Sequence, residues 1–82
     1  MSNLWIYKYQ NDTIVVKSAD SSQLLVNDVV QDTQYGVSLT RDLSGKLETG
    51  EEIKVSLIGL FPPKCQLFVD NILLEPSANI EL

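Results

Sequence analysis

The most nucleophilic side chain in this sequence is its single cysteine, Cys65, and the chain has no histidine that could activate it. General acid-base catalysis near neutral pH usually relies on an imidazole, and a thiol becomes a good nucleophile only when a neighbouring base or cation favours the thiolate. The sequence offers no other catalytic constellation. We therefore predict that Cys65 is a small core residue, that the chain has no catalytic residues and that the protein is not an enzyme.

Three glutamates close together, Glu48, Glu51 and Glu52, are the nearest approach to a metal site. They lack the spaced Asp/Asn ligands and central glycine of a calcium loop. The neighbouring glycines and lysine of 45–50 lack the Gly-Lys-Ser/Thr order that binds phosphate. We predict a solvated acidic turn, with no metal and no cofactor. As an alternative function, these glutamates and Asp42 could form the acidic patch of an inhibitor or regulator that occupies a basic site on a partner protein.

Three aromatic residues, Trp5, Tyr7 and Tyr9, stand at alternate positions near the amino terminus. Alternate residues of a strand point to the same face, so the three side chains are expected to line one side of a strand. Such a row could stack against a sugar or a peptide, or it could fill a core or a subunit contact. We favour the core or the subunit contact.

The connection at 58–63 differs from the other connections because it is apolar and contains two prolines. An apolar loop either folds over one end of a small core as a lid or forms a contact site. We predict a non-enzymatic protein-binding or assembly module, one that self-associates and forms a possible homodimer. The candidate contact residues are Leu60, Phe61, Pro62, Trp5, Tyr7 and Tyr9.

Composition limits the classes of partner. The 82 residues make a single small domain, 1–82, whose core is thin enough that self-association would stabilise it. The net charge of −5 argues against direct binding to nucleic acid and against an anionic membrane surface. A single cysteine and the absence of a signal-like amino terminus favour a reducing compartment, and we expect a cytoplasmic location.

The segment 66–75 has a fainter copy at 23–32, and each reads as two apolar strands joined by a two-residue turn. The turns are Asn27-Asp28 and Asp70-Asn71. Asn and Asp are the non-glycine residues that best tolerate the positive φ of a tight hairpin turn. Further strands precede the two hairpins, at 13–17 and 52–57. The sequence therefore predicts two similar halves.

Further β-rich runs lie at 5–9 and 35–41, turns are expected at 44–45 and 49–50, and 78–82 could add a short edge strand. The predicted fold is mainly β, a small antiparallel sandwich or open barrel of seven or eight short strands. The alternative is an α+β fold with a helix near 21–35, because the residues from Asp20 to Gln23 resemble a helix N-cap and Gly36 could end the helix. The valines and the Asn27-Asp28 pair inside this segment favour strands.

Overall fold

The computed structural model describes residues 2–82, and every regular element in this range is a β-strand. The nine strands are β1 Asn3–Tyr9, β2 Asp12–Ser18, β3 Ser21–Val26, β4 Val29–Tyr35, β5 Thr40–Lys46, β6 Glu52–Ile58, β7 Lys64–Val69, β8 Ile72–Leu74 and β9 Ala78–Glu81. They form a five-stranded sheet in the order β4-β3-β2-β1-β9 and a four-stranded sheet in the order β5-β6-β7-β8. All neighbouring strands are antiparallel. The predicted β sandwich is confirmed, with one strand more than the seven or eight expected.

The two halves are similar in their hydrogen bonds as well as in their strand order. Asn27 and Asp28 have φ values of 49° and 69°, and Asp70 and Asn71 have 47° and 65°. The Asn27 side chain accepts a hydrogen bond at 3.0 Å from the backbone N–H of Thr13, near the start of β2. The Asp70 carboxylate accepts the equivalent bond from the Glu52 N–H at 2.9 Å. Each turn is thus fastened to the strand before its hairpin in the same way.

The alternative helix near 21–35 is wrong. Residues Ser21–Val26 and Val29–Tyr35 form an antiparallel hairpin instead. Two consecutive residues with positive φ cannot continue a right-handed helix, and the apolar β-branched side chains on either side fit a pleated sheet. The local preference for strand and the alternating burial of the β3 side chains both favour the hairpin over the helix.

Two other boundaries differ from the prediction. The expected strand at 35–41 is interrupted, because Gly36 has a φ of 87° and residues 36–39 carry the chain from one sheet to the other. Residues 44–45 do not form the expected turn and lie inside β5 instead. Gly45 is needed there because β5 passes close to β4: a Cβ at Gly45 would lie 3.0 Å from the Gln31 Cβ. The Ser44 N–H also donates to the Asp32 carboxylate at 2.9 Å, which joins β5 to β4.

The core lies between the sheets and is built from alternate strand residues. Its buried apolar members are Trp5, Tyr7, Ile14, Val16, Leu24, Val26, Leu43, Leu47, Ile53, Val55, Leu57, Leu67 and Val69. The molecule is elongated, with principal extents of 33 × 21 × 21 Å. At one end, which we call the turn end, lie the connections 10–11, 27–28, 47–51 and 70–71. At the other, which we call the loop end, lie 19–20, 36–39 and 59–63.

Candidate functional site

The three most exposed large apolar side chains of the described residues lie at the loop end: Phe61 at 87%, Tyr35 at 85% and Val37 at 73%. Leu39 and Ile58 at the same end are 68% and 47% exposed. The two connections that supply most of them are joined directly, since the Gly59 N–H donates to the Leu39 carbonyl at 2.7 Å. Several large apolar side chains exposed at one end of a small domain are typical of a contact site.

The segment 58–63 is fixed on one side and open on the other. Pro63 is buried and Leu60 is partly buried, whereas Phe61 and Pro62 are exposed. The loop therefore seals this end of the core with its flanks and presents the Phe61 ring to solvent. The expectation of a lid thus describes Leu60 and Pro63, whereas a contact site at Phe61 stays a prediction.

Arg41 holds the loop in place from inside the sandwich. Its side chain is 8% exposed and reaches from β5 to the opposite sheet. One terminal nitrogen, Nη1, donates to the hydroxyls of Ser18 at 3.1 Å and Ser22 at 3.4 Å, and Nη2 donates to the Gly59 carbonyl at 2.7 Å. All three acceptors are neutral, and the buried Nε has no partner. A buried cation with neutral partners is uncommon in a core, and here it links both sheets to the apolar loop.

The polar surroundings of Arg41 come from one cross-strand row of the five-stranded sheet. Asn3 pairs with Ser18, and Ser18 pairs with Ser22, so all three side chains point inward at the loop end. All three are buried. The sandwich thus ends in a polar layer beneath the loop.

Two of the three candidate aromatic residues are inaccessible to a partner. Trp5 is 4% exposed and Tyr7 is fully buried, because the inner face of β1 packs against the second sheet. Tyr9 is partly buried and packs against the same core. The row belongs to the core, and Trp5 and Tyr7 are therefore removed from the candidate contact. Tyr9 sits near the turn end, far from Phe61.

Cys65 lies beside Tyr7 in this core. The thiol is partly buried, and the Tyr7 hydroxyl donates to its Sγ at 3.3 Å. Burial raises the pKa of Cys65 to about 11, an effect that the hydrogen bond from Tyr7 only partly opposes. Burial likewise raises the pKa of Tyr7. A thiol in this environment is protonated at neutral pH and is a poor nucleophile.

Cys65 is accordingly expected to react slowly with iodoacetamide. At pH 8 its thiolate fraction should be roughly 200-fold lower than that of an unperturbed cysteine, and the alkylation rate should fall in proportion. Mass spectrometry of timed samples measures this rate, and the same protein in denaturant is the control. A native rate equal to the denatured rate would contradict the described environment.

The candidate acidic residues do not form one patch. Asp42 projects from the middle of β5, whereas Glu48, Glu51 and Glu52 lie at the turn end. Hydrogen bonds from the Thr49 hydroxyl and from its own backbone lower the pKa of Glu51. The carboxylates that share the turn end with these glutamates are Asp12, Asp28 and Asp70. Six of the eleven carboxylates thus gather at the end opposite Phe61.

The surface also has shallow clefts. One, of about 500 Å³, lies on the outer face of the four-stranded sheet beside Phe68 and Lys54. Another, of about 480 Å³, opens between the sheets near Trp5, Cys65 and Leu74. Within residues 2–82, no group of three or more Cys, Asp or Glu side chains is arranged to hold a metal ion. The same range contains no helix that could span a membrane.

The sequence predicted only part of the loop-end surface. Phe61 and Leu60 were identified by their unusual loop. Tyr35, Val37 and Leu39 were missed because their alternation resembles a half-buried strand, and Arg41 was missed because arginine is seldom buried. The two closely spaced turn formers Gly36 and Ser38 were the available signal that this strand is interrupted.

No family model, curated protein or solved structure matches this chain.

Proposed function

We propose that this protein is a non-enzymatic assembly module that self-associates through its loop end. The observation that carries the proposal is the exposure of Phe61 and its apolar neighbours Tyr35, Val37 and Leu39 at one end of a small sandwich. Aromatic side chains dominate the energy of protein interfaces, and a ring that is 87% exposed in the single chain gains most when a partner covers it.

The charge distribution supports contact between two loop ends. Six carboxylates lie at the turn end, so a symmetric pair joined loop end to loop end would place its two acidic ends far apart. Any contact that used the turn ends would bring these charges together. Twofold symmetry is the commonest arrangement for such pairs, and it requires only that one surface be complementary to itself.

The hydrogen bonds of Arg41 and Gly59 support the proposal from a different direction. A loop that is already ordered loses less conformational entropy when it binds. The Gly59 backbone is held on one side by Arg41 and on the other by Leu39. The loop end therefore presents its apolar side chains on a fixed backbone.

Replacing Phe61 with serine is expected to weaken self-association by about 10- to 100-fold, because an anchoring aromatic side chain commonly contributes this much to an interface. The fold should be unaffected, since Phe61 is exposed. Sedimentation velocity over a range of protein concentrations measures the association constant. Ile72→Ser is the matched control, because Ile72 is 67% exposed but lies next to the turn end.

A wild-type protein that stays monomeric at high concentration would refute the proposal. So would an oligomer that Phe61→Ser and Ile72→Ser weaken equally, since the contact would then lie elsewhere.

A further inference from the structure

The outer face of the five-stranded sheet carries an apolar row that the loop end does not explain. The register pairs Val30 with Leu25 and Leu25 with Val15. Val15 in turn pairs with Ile6, and Ile6 with Ala78. Each of the five strands contributes one member, so the row crosses the whole sheet. We call these five residues the apolar row.

The apolar row faces away from the core. The core residues of the same strands, such as Val16 and Leu24, point to the opposite face, where the second sheet packs. Val30 is 49% exposed and the other four members are partly exposed. The next row adds Leu4 and Ile80, which pair with each other. Solvated faces of antiparallel sheets are normally polar, so this face departs from the usual pattern.

The outer face of the four-stranded sheet shows the usual pattern and serves as an internal comparison. Its charged strand residues are Asp42, Lys46, Glu52, Lys54 and Lys64, which mix both signs. The two outer faces of one molecule thus differ in character, and only the larger sheet combines an apolar row with a single sign of charge.

The charges around the apolar row are both positive. Lys8 and Lys17 belong to the rows on either side of it and are exposed. The carboxylates of this sheet's strands, Asp12, Asp32 and Glu81, pair with the inward positions Tyr9, Leu24 and Asn3, so they belong to the other face. A protein of net charge −5 therefore has one face whose strand charges are only basic.

These charges select the kind of partner. Two copies stacked through this face would bring lysines against lysines, whereas a partner with acidic borders would pair with both. The five strands span about 19 Å at their usual spacing, which matches the apolar stripe of about 13 helical residues. We infer that this face binds an amphipathic α-helix of a partner protein, with acidic residues along both borders of its apolar stripe.

Two synthetic amphipathic helical peptides test this inference. They share one apolar stripe and differ in having glutamate or lysine along its borders, and each is titrated into the ¹⁵N-labelled protein. The glutamate peptide should shift the amide signals of Ile6, Val15 and Leu25, and it should bind at least 10-fold more tightly than the lysine peptide. A double change, Lys8→Glu with Lys17→Glu, should reverse this order.

Val30→Asp should weaken binding of the glutamate peptide at least 10-fold. Leu73→Asp is the matched control, because Leu73 is 48% exposed on the outer face of the other sheet, and it should leave binding unchanged. Both positions are half exposed, so neither change should unfold the protein.

Five results would overturn the inference. Neither peptide binds, or both bind equally, or the shifted amides lie at the loop end. Alternatively, Val30→Asp changes the sedimentation of the protein alone, which would show that a second copy occupies the face. The protein could also bind phosphatidylserine vesicles but not the glutamate peptide. If the double change Lys8→Glu with Lys17→Glu abolished this vesicle binding, the face would be assigned to a membrane instead.

Discussion

Replacing Arg41 with alanine is expected to lower the free energy of unfolding by about 2–4 kcal/mol, because it empties a buried site and leaves the Gly59 carbonyl without its donor. A chain of this length is expected to have a total stability of roughly 4–12 kcal/mol. The loss is therefore a large fraction of the whole. Urea denaturation followed by the fluorescence of Trp5, the only tryptophan, measures it.

Arg41→Met separates the two parts of this effect. Methionine keeps most of the buried side-chain volume but removes the charge, and replacing a buried charge by an apolar side chain of similar size is often nearly neutral. We expect Arg41→Met to lose less than half as much stability as Arg41→Ala. It should nevertheless weaken self-association, because the Gly59 backbone is no longer held. Ordinary surface changes alter the free energy of unfolding by about 0.5 kcal/mol or less. An effect of Arg41→Ala within that range would contradict the linking role.

The features that the sequence predicted correctly depend on local chemistry. Asn27 and Asp70 specify their turns because their own side chains tolerate positive φ, and no distant residue is needed for that choice. The alternation of Ile53, Val55 and Leu57 likewise needs only the period of a strand. Local rules of this kind identified the mainly β class and the two similar hairpins.

The features that the sequence did not predict depend on contacts between distant segments. Alternation placed Trp5 and Tyr7 on one face but could not say whether that face meets the second sheet or solvent. Gly45 resembled a turn residue. It lies inside β5 instead, where the absence of a side chain allows β4 to pack closely. The burial of Arg41 follows from Ser18, Ser22 and Gly59, which lie far away in the chain.

The apolar row was not predicted from the sequence for a different reason. Unbroken apolar runs, Leu4–Tyr7 and Ile14–Val16, indicate strands that are apolar on both faces. That pattern usually marks a strand covered on both sides, and here the second cover is absent from residues 2–82. The sequence contained the signal, but only the sheet order reveals that five such positions line up.

Replacing Tyr7 with alanine is expected to have the largest effect on stability. Tyr7 is fully buried, and removing a buried aromatic side chain costs about 3–5 kcal/mol. This loss is a large fraction of the roughly 4–12 kcal/mol expected for a chain of this length. The variant should unfold at a much lower urea concentration than the wild type at 25 °C. Urea denaturation followed by circular dichroism measures this shift, and a variant whose free energy of unfolding lies within 1 kcal/mol of the wild-type value would contradict the position of Tyr7 in the core.

Tyr7→Phe is the matched control, because it keeps the ring and removes only the hydroxyl that donates to Cys65. It should cost about 0.5–1.5 kcal/mol at neutral pH. The Tyr7 and Cys65 groups also predict how the stability of the wild type changes in alkaline solution. The pKa values of Cys65 and Tyr7 are raised in the folded state, so above about pH 8.5 the unfolded chain begins to release protons that the native protein retains.

The unfolded state therefore binds fewer protons at high pH, and the free energy of unfolding must fall as the pH rises. The contribution of Cys65 should be lost between about pH 8.5, where the unfolded thiol ionises, and about pH 11, its pKa in the folded protein. That of Tyr7 should begin to be lost near pH 10. Urea denaturation from pH 7 to pH 10.5 should show a steeper decline for the wild type than for the double variant Tyr7→Phe with Cys65→Ala. Equal declines would mean that neither group is protected from ionisation by its burial between the sheets.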